Sequence, residues 1–144
     1  LEAAAATALN RLERRYRVDR VHLGDSLRGL TVRALIDDVV SMVALLIENA
    51  IEATAAGGRV DLAARLDGDW VELKVRDDGE GMTAEVAARA SEPFFTARGP
   101  RHAGIGLSAV DGMVERHGGT WWIDSAPGAG CCVTVRLPAW REQG

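Results

Sequence analysis

One segment constrains the rest of the chain more than any other. In residues 33–58, RALIDDVVSMVALLIENAIEATAAGG, the residues Val39, Val43, Leu46, Ala50 and Ala53 recur at helical spacing. They give one apolar face, and the Gly57-Gly58 pair predicts the end of the helix. A helix that is apolar along one side has to be covered by another layer. Its neighbours in sequence alternate instead. RVDRVHL (17–23) precedes it, and RVDLAARL (59–66) and WVELKVRD (70–77) follow, joined by the turn DGD. The last two read as a hairpin with Val71, Leu73 and Val75 on one side. Residues 2–16 are rich in good helix formers. Residues 105–117 form a further helix, and TWWIDS and CCVTVRLP close the chain as a strand pair around APGAG. Residues 78–103 carry glycine and proline with little periodicity. They read as a long loop, with a short helix at 83–90, and a loop of that length in a compact domain is usually functional.

Several function classes are excluded by composition. The 144 residues suit one domain, without internal repeat or low-complexity tract. A net charge of -4 argues against a nucleic-acid surface, which needs a basic excess. No stretch approaches a membrane span, and no signal-peptide pattern opens the chain. The two cysteines are adjacent, Cys131 and Cys132, so a disulfide framework or a four-ligand zinc site is ruled out and a reducing, cytoplasmic setting is expected. Lys74 is the only lysine and lies mid-strand.

Gly104-Ile105-Gly106-Leu107-Ser108-Ala109 fits a dinucleotide fingerprint, and Asp124 stands 20 residues after Gly104. That fingerprint requires a buried strand just before the glycines, and PFFTARGPRHA is a loop. It also requires further βαβ units, and only one strand remains. The reading fails on both counts.

Four other stretches carry more. Asn49 shares a polar stripe with Ser41, Glu48 and Glu52. Its amide oxygen can hold a metal ion, or the stripe is simply a solvated face. Asp77 closes a strand ahead of Gly79, Gly81 and Met82. A carboxylate there can accept from an exocyclic amine while glycines let a flat ring approach, or the stretch is an ordinary Asp-Gly turn. Phe94 and Phe95 lie in a polar loop with Thr96 and Arg98; a phenylalanine can anchor the loop while Arg98 reaches a polyphosphate, or the loop is only pinned to the core. Finally, Gly104 and Gly106 sit at a helix N-terminus, whose free N–H groups suit phosphate.

In order, LLIENAIEA, VRDDGEGM, EPFFTAR and AGIGLSAV resemble the N, G1, F and G2 boxes of the histidine-kinase ATP-binding domain. This domain belongs to the superfamily that also holds gyrase-type and chaperone-type ATPases. The resemblance runs from about residue 17 to 138, and NAIEAT with EPFFTAR is similar to the nitrogen-regulation type of sensor kinase. It implies an α/β two-layer sandwich of the Bergerat type, with a mixed, mainly antiparallel sheet covered on one face by helices. It also implies ATP and Mg²⁺ as ligands. By the same resemblance Asn49 holds Mg²⁺, with Ala53 beside it, and Asp77 reads the adenine amine. Gly79, Gly81 and Met82 border the base; Phe94 and Phe95 anchor a lid that includes Thr96, Arg98, His102 and Ala103; and Gly104, Ile105, Gly106 and Leu107 wrap the phosphates. Residues 17–140 are then the catalytic ATP-binding domain, and residues 1–16 a helical linker or the end of a dimerisation hairpin.

Four positions depart from the family pattern. His102 replaces a glycine in the lid. Asp78 stands where Asn is frequent and is expected to add negative charge near the triphosphate. Cys131 takes the place of a common Thr and by strand alternation points inward as a buried thiol. Leu45 occupies the place where the related ATPases carry the glutamate that activates water, which disfavours hydrolysis. No histidine suits phosphate acceptance, since His22 is in a strand, His102 in the lid and His117 at a helix end. The expected partners are a histidine-containing dimerisation domain of the same protein and a downstream response regulator, with no nucleic acid and no direct membrane contact. The alternatives are a sigma-factor-binding serine kinase of the same fold and a nucleotide-binding module that has lost catalysis.

Overall fold

The computed structural model describes residues 1–14, 16, 18–54, 58–79, 106–125 and 130–140. Among them three α-helices and five strands follow in the order α1 (Glu2–Leu12), β1 (Val21–Leu23), α2 (Ile36–Ala53), β2 (Val60–Asp67), β3 (Trp70–Asp77), α3 (Gly106–Arg116), β4 (Thr120–Ser125) and β5 (Cys131–Pro138). The sheet order is β1-β2-β3-β5-β4. β1 runs parallel to β2, and every other pair is antiparallel. The expected mixed, mainly antiparallel sheet is therefore present. Asp124 lies on an antiparallel edge strand, which removes the dinucleotide reading independently.

Alternation decides the faces. Val60, Leu62, Val71, Leu73, Val75, Val133, Val135 and Leu137 are all buried on the side that α2 and α3 cover. The opposite side carries charged pairs, such as Arg65 Nε to Glu72 Oε2 at 2.8 Å. α2 buries more than the single stripe read from its sequence. Val39, Val43, Leu46 and Ala50 are buried, and so are Val40, Met42, Ile47 and Ile51. A second layer explains the excess, because α1 packs on α2 through Ala4, Ala5, Ala8 and Leu12. Three alanines let the two helices come close, so α2 is apolar on two sides.

Boundaries shift in three places. α2 stops at Ala53, ahead of the Gly57-Gly58 pair. Thr54 leaves the helix with φ -99° and ψ 150°, and both its N–H and its hydroxyl donate to the Ile51 carbonyl, at 3.2 and 3.0 Å. A Thr that satisfies the last turn in this way ends the helix without glycine. β1 is only three residues long, because residues 18–20 form a 3-10 turn. Arg20 is drawn there to the end of α2, where its guanidinium also donates to the Ile51 carbonyl at 3.0 Å. α1 ends at Leu12 instead of 16. The β2–β3 hairpin turns on Gly68-Asp69, with φ 60° at Gly68. Left-handed φ in a two-residue loop is the job glycine does best. The short helix expected at 83–90 lies outside the described residues.

Candidate functional site

The site is built where α2 ends beside β3. Asn49 and Ala53 are one helical turn apart, on one face of α2 and about 6 Å along its axis. Both are half-buried. Gly79 is pressed against Ala53, and a β-carbon on Gly79 would overlap the Ala53 carbonyl oxygen and lie 3.0 Å from Asp77 Oδ1. The glycine at 79 is thus required by the end of α2 as well as by anything that binds there.

Asp77 is the last residue of β3 and is only 5% exposed. Its Oδ1 accepts the Gly79 N–H at 2.9 Å. An ionised carboxylate only accepts hydrogen bonds, and its two oxygens can take several. A nearly buried one at a strand end therefore selects a donor such as an amine. Opposite it on β5 stands Cys131, paired with Asp77 across the ladder and 5% exposed, as the alternation predicted. Cys131 and Asp77 share the helix-covered face, so the thiol forms part of the wall around the carboxylate.

Gly130, just before Cys131, is a site-shaping residue the sequence reading missed. Its φ is 77°, and a β-carbon would overlap the Asp77 carbonyl oxygen. The signal was present in the turn APGAG, but nothing in the sequence says which of its glycines meets β3.

Asp78 follows Asp77, and its Oδ1 accepts the Arg59 backbone N–H at 3.0 Å, so this carboxylate is engaged at the start of β2.

α3 opens at Gly106, followed by Leu107. Its first turn has N–H groups with no intrahelical acceptor and the positive end of the helix dipole. α3 packs on α2 and is tied to it at its far end. There the His117 Nε2 lies 2.8 Å from Asp38 Oδ2, and the Arg116 guanidinium lies 3.3 Å from the same oxygen. Together they hold the Asp38 carboxyl below the usual carboxylate range, with the His117 hydrogen bond the larger cause. Gly118 (φ 72°) and Gly119 then close α3, the Gly119 N–H donating to the Val114 carbonyl at 2.9 Å.

The structure thus brings Asn49, Ala53, Asp77 and Gly79 together at one end of α2. Gly81, Met82, Phe94, Phe95, Thr96, Arg98, His102, Ala103, Gly104 and Ile105 lie outside the described residues. Among the described residues no group of three or more His, Cys, Asp or Glu is placed to hold a metal ion. The donor set here is one amide and the backbone, which suits a cation such as Mg²⁺ that arrives largely held by phosphate oxygens and water. No helix among the described residues is long and apolar enough to cross a membrane.

Comparison with known proteins agrees with this arrangement. Residues 34–141 match the model of the family described as histidine kinase-, DNA gyrase B-, and HSP90-like ATPase. Sensor histidine kinase ZraS of Klebsiella oxytoca is 40% identical over 96 residues, covering 66% of this chain and 21% of that protein. The alginate biosynthesis sensor protein KinB of Pseudomonas aeruginosa is 34% identical over 120 residues, covering 83% and 20%. The chain therefore spans about a fifth of the length of these two relatives. Among solved structures, the catalytic domain of histidine kinase ThkA superposes with a TM-score of 0.81 at 24% identity, covering 96% of this chain and 91% of that one. The full-length kinase ShkA, solved in complex with AMPPNP, superposes with a TM-score of 0.80 at 23% identity over 99% of this chain and 31% of its own. Neither the sigma-factor kinase nor the inactive module is favoured by these relatives. The chain belongs to the histidine kinase-, DNA gyrase B-, and HSP90-like ATPase family, as an ATP-binding catalytic domain of the sensor histidine kinase kind.

Proposed function

We propose that this chain binds Mg-ATP at the C-terminal end of α2 and presents the γ-phosphoryl group to a histidine on a helical hairpin outside residues 17–140. The observation that carries this is the Asp77 carboxylate, 5% exposed at a strand end and flanked by a glycine that meets the helix backbone. A buried acceptor of this kind recognises the adenine amine. Asn49, one turn along α2, is the residue that would hold Mg²⁺, which supplies neutralisation of charge on the transferring phosphoryl oxygens. The first turn of α3, with Gly104, Ile105, Gly106 and Leu107, would take the phosphates. Gly81 and Met82 would border the base, and Phe94, Phe95, Thr96, Arg98, His102 and Ala103 would form the lid. Leu45, one turn before Asn49, offers no carboxylate to activate water. Transfer to an incoming side chain is therefore favoured over hydrolysis.

The finer assignments share this status. The order of NAIEAT and EPFFTAR supports a nitrogen-regulation type of sensor kinase. Residues 1–16 then serve as a linker or as the end of the dimerisation hairpin, the parent protein presents this domain to the cytoplasm, and a response regulator receives the phosphoryl group. The test of the site is Asp77→Ala. Binding of a fluorescent ATP analogue should be lost while circular dichroism keeps the α/β spectrum, because a site that hydrogen-bonds an amine depends on that acceptor. Binding at wild-type affinity would remove Asp77 from the site and the reading with it.

A further inference from the structure

Two side-chain ties of α3 act on different halves of the helix. At its C-terminal end, Arg116 and His117 meet Asp38 on α2. At its middle, Asp111 Oδ1 accepts the Trp121 indole N–H at 2.7 Å. Trp121 is the second residue of β4, and alternation puts it on the helix-covered face, opposite Val135. Its ring is half-buried against the core, while Asp111 is exposed. Trp122 faces the other way and is 38% exposed.

Gly112 separates the two ties. Nothing stands within 4 Å of a β-carbon placed there, so packing does not call for a glycine. A glycine inside a helix is the weakest point of its backbone. The clamp on Asp38 therefore reaches the opening turn only through a soft point. That turn starts at Gly106, about 7.5 Å along the axis from Asp111. Val110 is fully buried and anchors this half of α3 in the core, but apolar packing has no direction. A short hydrogen bond has one. The Trp121 bond acts on the same side of Gly112 as the opening turn, and it fixes how that half of α3 leans over β4.

We propose that Trp121 is a positioning residue for the nucleotide, aiming the first turn of α3 at the phosphates through Asp111. This rests on the reading of that turn as the phosphate-binding end of the site. A looser helix has to be ordered again when phosphate binds, and affinity falls by that cost. Asp77, on β3, meets the base and takes no part in this. The signature is a loss for a ligand that carries phosphates and none for the nucleoside alone.

Trp121→Phe keeps an aromatic ring and removes the donor. Asp111→Ala removes the acceptor from an exposed helical position, where alanine is well tolerated. Calorimetric titration with ATP and with adenosine, both in Mg²⁺, should show ATP affinity about three- to tenfold lower in each variant, with adenosine affinity unchanged. The double variant should lose no more than either single one, because both break the same bond. Asp111→Asn keeps an acceptor oxygen and should bind ATP nearly as wild type. Gly112→Ala, added to Trp121→Phe, should recover part of the loss by stiffening the soft point. Trp122→Phe should change neither affinity. If both ligands weaken together, if ATP binds as wild type in Trp121→Phe and Asp111→Ala, or if the two losses add, the positioning role is overturned while the site itself stands. If the wild-type chain binds ATP no tighter than adenosine, the phosphate role of α3 fails and the positioning role falls with it.

Discussion

Gly79 and Ala53 touch backbone to backbone, with no room for a β-carbon between the loop after β3 and the last turn of α2. The contact fixes the distance between the strand end that holds Asp77 and the helix that holds Asn49. Gly79→Ala should therefore act on stability and on the site together. Overpacking of this kind typically costs about 1–3 kcal/mol. Urea unfolding should show a loss in that range, and nucleotide affinity should fall even where the variant is fully folded. Gly112 is the control. It lies inside α3, and nothing stands within 4 Å of a β-carbon placed there. Gly112→Ala should stabilise by about 0.4–1 kcal/mol by removing backbone freedom from the unfolded chain, without change in binding.

The clamp between α3 and α2 gives a pH prediction. Asp38 has its carboxyl held low by His117 and Arg116. A carboxylate with a depressed value in the folded state contributes stability above its unfolded value, about 3.9, and that contribution disappears as pH falls through the lower folded value. Asp38→Asn should therefore unfold at lower denaturant than wild type at pH 7 and at pH 5. The gap should narrow progressively below about pH 4. A gap of constant size down to pH 2 would mean that packing, not charge, is what Asn disturbs.

A third prediction concerns the core beneath the site. Leu46 is 1% exposed on the face of α2 that meets the sheet, one turn before Ala50. Leu46→Ala should cost roughly 2–5 kcal/mol, lost transfer energy plus the cavity left behind. The measurement is the denaturation midpoint. The site should keep its nucleotide affinity as long as the variant remains folded, because Asn49 lies about 60° round α2 from Leu46 and Ala53 lies about 10 Å further along the axis.

How much of this was legible in the sequence follows from what sets each feature. Alternation and helical spacing are local, so β2, β3, β4, β5, α2 and α3 were placed to within a few residues, and Cys131 was read as inward-facing. The end of α2 was misread because Gly57-Gly58 is the conventional stop signal, whereas Thr54 and Arg20 satisfy the Ile51 carbonyl earlier. Arg20 is 31 residues away in sequence, and no local pattern announces such a bond. The bond from the Arg59 N–H to Asp78, across the start of the hairpin, is equally beyond any local pattern. Gly130 was missed because its importance depends on what it meets in space. Asp77 and Asn49 were found through resemblance to the family; each taken alone had an ordinary reading.

The last prediction concerns what the chain cannot do alone. Phosphoryl transfer needs a nucleophile held in line with the γ-phosphate, and positioning supplies most of the catalysis. The histidines within the described residues are badly placed for it. His117 is paired with Asp38 in the first turn of α2, about 16 Å along the helix axis from Asn49. His22 is on edge strand β1, exposed on the face away from the helices, opposite Asp61. His102, in the expected lid, has no acid after it, since Ala103 follows. Leu45 gives water no base either. Incubation of this chain with γ-labelled ATP should therefore give slow release of phosphate and no labelled protein. Supplying the helical hairpin with its histidine and adjoining acid, joined to the chain or as a separate piece, should yield acid-labile label on that histidine. Rapid hydrolysis without the hairpin would point to an ATPase, and acid-stable label on a partner's serine would point to the serine-kinase branch of the same fold. With the hairpin present, Asn49→Ala should slow labelling by about 10²-fold or more if charge neutralisation is what it supplies. Wild-type labelling by that variant would leave Asn49 as no more than a half-buried amide on the polar side of α2.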